Sequence, residues 1–158
     1  VAAVRRFEVN KLFLLGSTCV WPRVAEMPIR EDSLKTGPME ATNAPHGVAK
    51  IAGIKLDQGC RHQHARDFIC GMAATRNVPL DNFDPEHRHV LPSLFRRFHG
   101  AKQTKAPWVT LWGSGKPTRE FLFVEDLAEA YLSLVDHCSG AEIVNIGIGC
   151  EIIIRDAS

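Results

Sequence analysis

His46 and Lys50 stand four residues apart in the stretch Asn43-Ala44-Pro45-His46-Gly47-Val48-Ala49-Lys50-Ile51-Ala52-Gly53-Ile54-Lys55. On a helix that spacing puts the two side chains on one face. A proton donor one turn ahead of a lysine suits the reduction of a carbonyl. The cation favours the donor's deprotonated form and can also hold a cofactor ribose. The same pair on a solvated face would do no chemistry, so spacing alone leaves both readings open. Ser17 and Cys19 form a second candidate group, a hydroxyl and a thiol just after the apolar run Lys11-Leu12-Phe13-Leu14-Leu15-Gly16. A helix-cap serine and a small buried cysteine are the plain alternatives for these two.

Positioning these groups requires strands and helices in alternation. Lys11 to Gly16 reads as a buried parallel strand, and ligands of doubly wound sheets bind beyond the carboxyl ends of such strands. The segment from Val20 to Asn43 contains Pro22, Pro28 and Pro38 and reads as a loop over the site. Pro45 fits the first turn of a helix running from about Ala44 to His62. Val48, Ile51, Ala52 and Leu56 recur at helical spacing as its apolar stripe, leaving His46 and Lys50 on the other face. Phe68 to Ala73 reads as the next strand and Val90 to Gln103 as a helix. Trp108 to Trp112 and Glu120 to Val124 read as short strands. Glu125 to Cys138 is amphipathic, with Leu127, Ala128, Tyr131 and Leu134 on one face. Glu142 to Ile148 and Glu151 to Ile154 close the pattern as strands, and Val1 to Asn10 looks like the end of a helix.

The 158 residues suffice for one core, and the formal net charge of +1 offers no surface for nucleic acid or membrane. Five cysteines, Cys19, Cys60, Cys70, Cys138 and Cys150, are widely spaced without a CxxC pair, as in reduced cytoplasmic thiols. No apolar run is long enough for a membrane span, and Val1 opens no signal peptide. Cys60, His62, His64, His87 and His89 match no zinc spacing, so no metal site is expected. Gly113-Ser114-Gly115-Lys116-Pro117-Thr118 is not a phosphate loop. Thr110 stands where its first glycine belongs and Pro117 where a Ser or Thr should follow Lys116.

Several motifs occur in one order: Lys11 to Cys19, then Thr36-Gly37-Pro38-Met39-Glu40-Ala41-Thr42 leading into the His46–Lys50 stretch. Asp81-Asn82-Phe83-Asp84-Pro85-Glu86, His89-Val90-Leu91-Pro92 and Trp112-Gly113-Ser114-Gly115-Lys116-Pro117 follow. Together, from about Asn10 to Ala157, they resemble the GDP-L-fucose synthases, extended short-chain dehydrogenase/reductases, most closely in their plant form. The resemblance implies an α/β fold with a doubly wound, Rossmann-like parallel sheet and part of a substrate-binding domain. It implies an NADP(H)-dependent epimerase and reductase acting on a GDP-sugar, GDP-4-keto-6-deoxymannose. Ser17, Cys19, Lys50 and His89 would be catalytic, with His46 where the family carries its tyrosine. Leu15, Gly16, Ser17, Lys50, Ala73, Thr75, Arg76 and His89 would meet the cofactor, and Arg97, Trp112 and Arg119 the substrate.

The family's glycine-rich turn after its first strand has no counterpart here, as neither G-x-G-x-x-G nor G-x-x-G-x-x-G occurs. The expectation is therefore one incomplete domain over residues 1–158, lacking the Gly-rich half and the C-terminal end, with cofactor binding and turnover impaired. The alternative is an inactive remnant or a pairing partner of an intact paralogue. A homodimer or such a heterodimer would form through helices flanking the site.

Overall fold

The computed structural model describes residues 7–77, 81, 83, 90–111 and 113–157, for residues 75–77 the backbone alone. The chain divides into two compact units, residues 1–74 with 125–147 and residues 75–124 with 148–158.

The first unit is built on three parallel strands, β1 (Lys11–Leu15), β2 (Asp67–Ala73) and β6 (Ile143–Ile146), in the order β1-β2-β6. Phe68 to Met72 are all buried, as a strand covered on both faces must be. Gly71 is required at its place. A side chain there would stand 2.6 Å from Phe13 and 2.8 Å from Ile146, which reach over it from the two flanking strands. The core gathers Val20, Trp21, Ile54, Cys70, Met72 and Ile143, with Leu14, Ile29, Leu34 and Ile51 packed against it.

Helix α1 (Ala44–His64) begins with Pro45 in its first turn, where no N–H is needed, and ends at Ala65 in the left-handed region with φ +48°. Helix α3 (Val124–His137) opens with Glu125 and Asp126, which complement the positive end of its dipole, and buries Leu127. Tyr131 lies 5.0 Å, ring to ring, from Phe13. Between β1 and α1 the chain makes short 3-10 turns at Thr18–Val20, Glu31–Ser33 and Ala41–Asn43. A bridge between Pro22 and Met39 closes its neck.

In the second unit, β3 (Thr75–Asn77) pairs in parallel with β5 (Phe121–Phe123), and β4 (Thr118–Arg119) pairs antiparallel with β7 (Ile152–Ile153). Helix α2 (Val90–Thr104) buries Pro92 and Leu94, and β5 buries Leu122.

Three sequence expectations need correction. The apolar stripe of α1 does not face the core as a whole: Ile51 packs against it, but Ala52 is exposed and Val48 and Leu56 are 57% and 56% exposed. Its buried residues are Gly47, Ile54 and Asp57. Residues 108–111 form no strand; Trp108 is exposed, and the Thr110 carbonyl accepts from the Arg97 side chain instead of from a ladder. Residues 7–10 are turn and bend where a helix end was expected, and the rest of that segment lies outside the described residues.

Candidate functional site

β1 ends at Leu15, and one further backbone bond, Gly16 N–H to the Gly71 carbonyl at 2.8 Å, carries Gly16 to the rim of the sheet. Ser17 is extended, with φ −157°, and its Oγ accepts the Cys19 N–H at 3.4 Å, capping the turn Thr18–Val20. Val20 and Trp21, 1% and 6% exposed, anchor that turn in the core. The capping role foreseen as the plain reading of Ser17 is therefore real. Cys19 is only partly covered.

The first turn of α1 sits directly on this turn. A side chain at Gly47 would stand 2.7 Å from the Cys19 carbonyl oxygen and 2.7 Å from Met39 Sδ, so only glycine lets the two backbones approach. One turn later the half-buried Lys50 reaches across, and its Nζ donates to the Leu15 carbonyl at 2.7 Å. An ammonium is thereby fixed at the carboxyl end of β1, beside Gly16 and Ser17. His46 is exposed at the start of the same helix. Leu15, Gly16, Ser17, Cys19 and Lys50 thus come together around the junction of β1 and α1, with His46 four residues before Lys50. Ala73 closes β2 opposite Ile146 of β6.

Deeper on the inward face of α1 lies Asp57, 2% exposed, with neither carboxylate oxygen hydrogen-bonded. Burial pushes its pKa above the ordinary carboxylate value. Cys70 on β2 is pushed up to about 11, first by burial and then by the Asp57 charge, with Lys50 pulling the other way. Cys70 is therefore a neutral thiol at physiological pH, filling space.

The remaining candidates belong to the second unit or lie outside the described residues. Thr75 and Arg76 are in β3, paired with Phe121 and Leu122. Arg97 donates from Nη1 to the Thr110 carbonyl at 2.7 Å, and Arg119 from Nη1 to its neighbour Thr118 at 2.7 Å. His89 and Trp112 lie outside the described residues. Among the described residues, no cluster of His, Cys, Asp and Glu could hold a metal ion, and no helix is long and apolar enough to cross a membrane.

Residues 1–147 match the model of the NAD dependent epimerase/dehydratase family. The chain belongs to that family. GDP-L-fucose synthase 1 of Arabidopsis thaliana is 52% identical over 148 residues, which are 94% of this chain and 46% of the relative. GDP-L-fucose synthase of Sinorhizobium fredii is 47% identical over 149 residues, 94% of this chain and 48% of the relative. The crystal structure of a GDP-L-fucose synthetase from Naegleria fowleri bound to NADP superposes with a TM-score of 0.84 at 28% identity, over 98% of this chain and 50% of that one. The chain spans about half the length of the curated relatives it matches. The α/β, Rossmann-like fold expected from the sequence is the one this epimerase/dehydratase family member has.

Two features of the site escaped the sequence reading. Asp57 follows Lys50 by two turns on the same face, so following the helical period from Lys50 would have found it. The Leu15 carbonyl as the seat of Lys50 depends on how α1 lies across β1, for which the sequence carries no local signal.

Proposed function

We propose that this chain acts as a GDP-L-fucose synthase-type enzyme, an NADPH-dependent epimerase and reductase of GDP-4-keto-6-deoxymannose, with its reduction step weakened by His46. The single observation that carries the reading is the 2.7 Å bond from Lys50 Nζ to the Leu15 carbonyl, which sets a cation at the strand end beside Ser17 and Cys19. Residues at that end fit a dinucleotide's ribose and nicotinamide: the Lys50 ammonium supplies donors for ribose hydroxyls, and Leu15, 49% exposed, leaves the strand end open. The cofactor would supply the hydride.

Ser17 Oγ would donate a hydrogen bond to the substrate carbonyl while still accepting the Cys19 N–H. Cys19 would carry one proton of the epimerisation and His89 the other. Lys50 holds the cofactor side of the site and stabilises negative charge as it develops. Arg97 and Arg119, with Trp112, would grip the GDP moiety, for which planar guanidinium groups suit the diphosphate.

Incubating the purified chain with GDP-4-keto-6-deoxymannose and NADPH tests this reading. The expected result is slow NADPH oxidation with GDP-L-fucose as product, lost in Lys50→Met. No turnover, together with no calorimetric NADPH binding, overturns it.

A second reading rests on a different observation. Val48 and Leu56, more than half exposed, line up with the exposed Ala52 at i, i+4 and i+8 along the outside of α1. This apolar stripe suits pairing with a second copy of the chain or with an intact paralogue.

A further inference from the structure

Asn145 and Glu31 are 114 residues apart in sequence and meet at the border of the sheet. β6 is an edge strand in the order β1-β2-β6, and an edge strand's outward N–H groups need partners from elsewhere. The Asn145 N–H finds one in Glu31 Oε1 at 3.2 Å. The Asn145 side chain adds a second bond, Nδ2 donating to the Ile29 carbonyl at 2.9 Å. One residue thus holds two points of the long connection between β1 and α1. The neck of that connection is closed by the Pro22–Met39 bridge and by Arg23 N–H donating to the Pro38 carbonyl at 2.9 Å. Ile29 and Leu34 pack on the core beneath it. The chemistry-bearing residues flank the connection, Ser17 and Cys19 entering it and His46 and Lys50 leaving it.

We propose that Asn145 is a positioning residue of the site, latching Ile29 and Glu31 to the open edge of β6 and so holding the connection that sets Cys19 against the first turn of α1. Its value for catalysis rests on the enzyme reading above, whereas the latch can be tested without substrate or cofactor. Without the latch, the connection keeps its closed neck and its apolar anchors but loses both polar ties to the sheet. The neck and Cys19 should then open more often while β2 stays closed.

The test uses the full chain without ligand. Trypsin cleavage after Arg23, Arg30 and Lys35 reports the connection, and iodoacetamide alkylation of Cys19, read by mass spectrometry, reports the site. Amide exchange of β2 serves as the global reference. Asn145→Ala removes the Nδ2 tie and keeps the backbone N–H, so it should speed cleavage and alkylation by about 2- to 10-fold, the size expected for one ordinary hydrogen bond, with β2 exchange unchanged. Asn145→Asp loses the Nδ2 donor and faces the Glu31 charge, so it should open at least as far. Glu31→Gln keeps an acceptor and should behave as the native chain, whereas Glu31→Ala removes the other tie and should open about as far as Asn145→Ala, the two changes together opening further than either alone. Native rates in Asn145→Ala and Glu31→Ala overturn the proposal, as does a rise that merely parallels faster exchange in β2. If Asn145→Ala does not fold, the contrast of Glu31→Ala with Glu31→Gln decides alone: equal rates overturn the latch, and faster opening in Glu31→Ala upholds it. An intact latch in a chain without turnover would count against the enzyme reading and leave this inference standing.

Discussion

A phenol keeps its proton to about pH 10, whereas an imidazole has mostly lost its second proton above about pH 7. That difference gives position 46 its weight, because a ketone becomes an alcohol only when a proton reaches its oxygen. In an intact homologue, placing histidine at the tyrosine that the family resemblance implies for this position should slow reduction at least about 100-fold, the low end of general-acid contributions. The residual rate, followed by NADPH absorbance, should rise as pH falls. Asp57 is the other decisive single residue. An unpaired buried carboxyl group costs about 1–3 kcal/mol, so Asp57→Leu should raise unfolding stability by roughly that amount in urea titrations. The sign with pH follows from the raised pKa of the folded state. The folded chain holds the Asp57 proton more tightly than the unfolded one, so the contribution of Asp57 to stability is greatest below the ordinary carboxylate pKa of about 4. It is lost as pH climbs through the folded value. Asp57→Leu should flatten this slope.

At the scale of elements, α1 turns Gly47, Ile54 and Asp57 inward and leaves Val48 and Leu56 exposed. Leu56→Glu should leave the melting temperature nearly unchanged, because Leu56 is already 56% exposed, and should abolish self-association in sedimentation velocity. A dimer that survives the change would remove this face from the interface. The existence and order of the main strands and helices were legible because their apolar runs and breakers are strong. Lys11–Leu15, Asp67–Ala73, Ala44–His64 and Val90–Thr104 lie within about two residues of the sequence expectation. The facing of α1 was not legible. Hydrophobic periodicity sends Val48 and Leu56 inward, but the site draws Lys50 to the strand end and the close approach at Gly47 fixes the rotation. Residues 108–111 misled for the opposite reason: β-forming side chains make no strand without a neighbour to pair with. Of the candidate site, the motifs named Lys50, Ser17 and Cys19, which the fold brings to one junction, and gave no sign of the carbonyl that seats Lys50. The ties from Asn145 were hidden as well, since they depend on partners more than a hundred residues away.

Across the first unit as a whole, one polar cluster ties together residues distant in sequence. Asp67 accepts from Arg61 Nη1 at 2.7 Å and Ser139 Oγ at 2.9 Å, and pairs with Lys11 Nζ at 3.2 Å. Arg61 also donates to the Ser139 carbonyl, and Lys11 to the Cys138 carbonyl at 2.8 Å. Burial alone would raise the Asp67 pKa, but these donors outweigh it and hold the carboxyl below its ordinary value. Its stabilisation is therefore present above the unfolded pKa of about 4 and lost as pH falls through the folded value. Asp67→Asn should cost about 1–2 kcal/mol at neutral pH, a value reduced by partial exposure, and should be closer to native stability in acid. Urea titrations at both pH values check this. The same cluster has a consequence during synthesis. Lys11 emerges 127 residues before the Cys138 carbonyl that receives it, and β6, which flanks the central strand, comes later still. On the ribosome, β1, β2 and α1 must wait with one side of β2 uncovered. At ordinary translation rates of about 5–20 residues per second, that wait lasts several seconds, and the nascent chain is then most open to capture by chaperones or by a neighbouring copy.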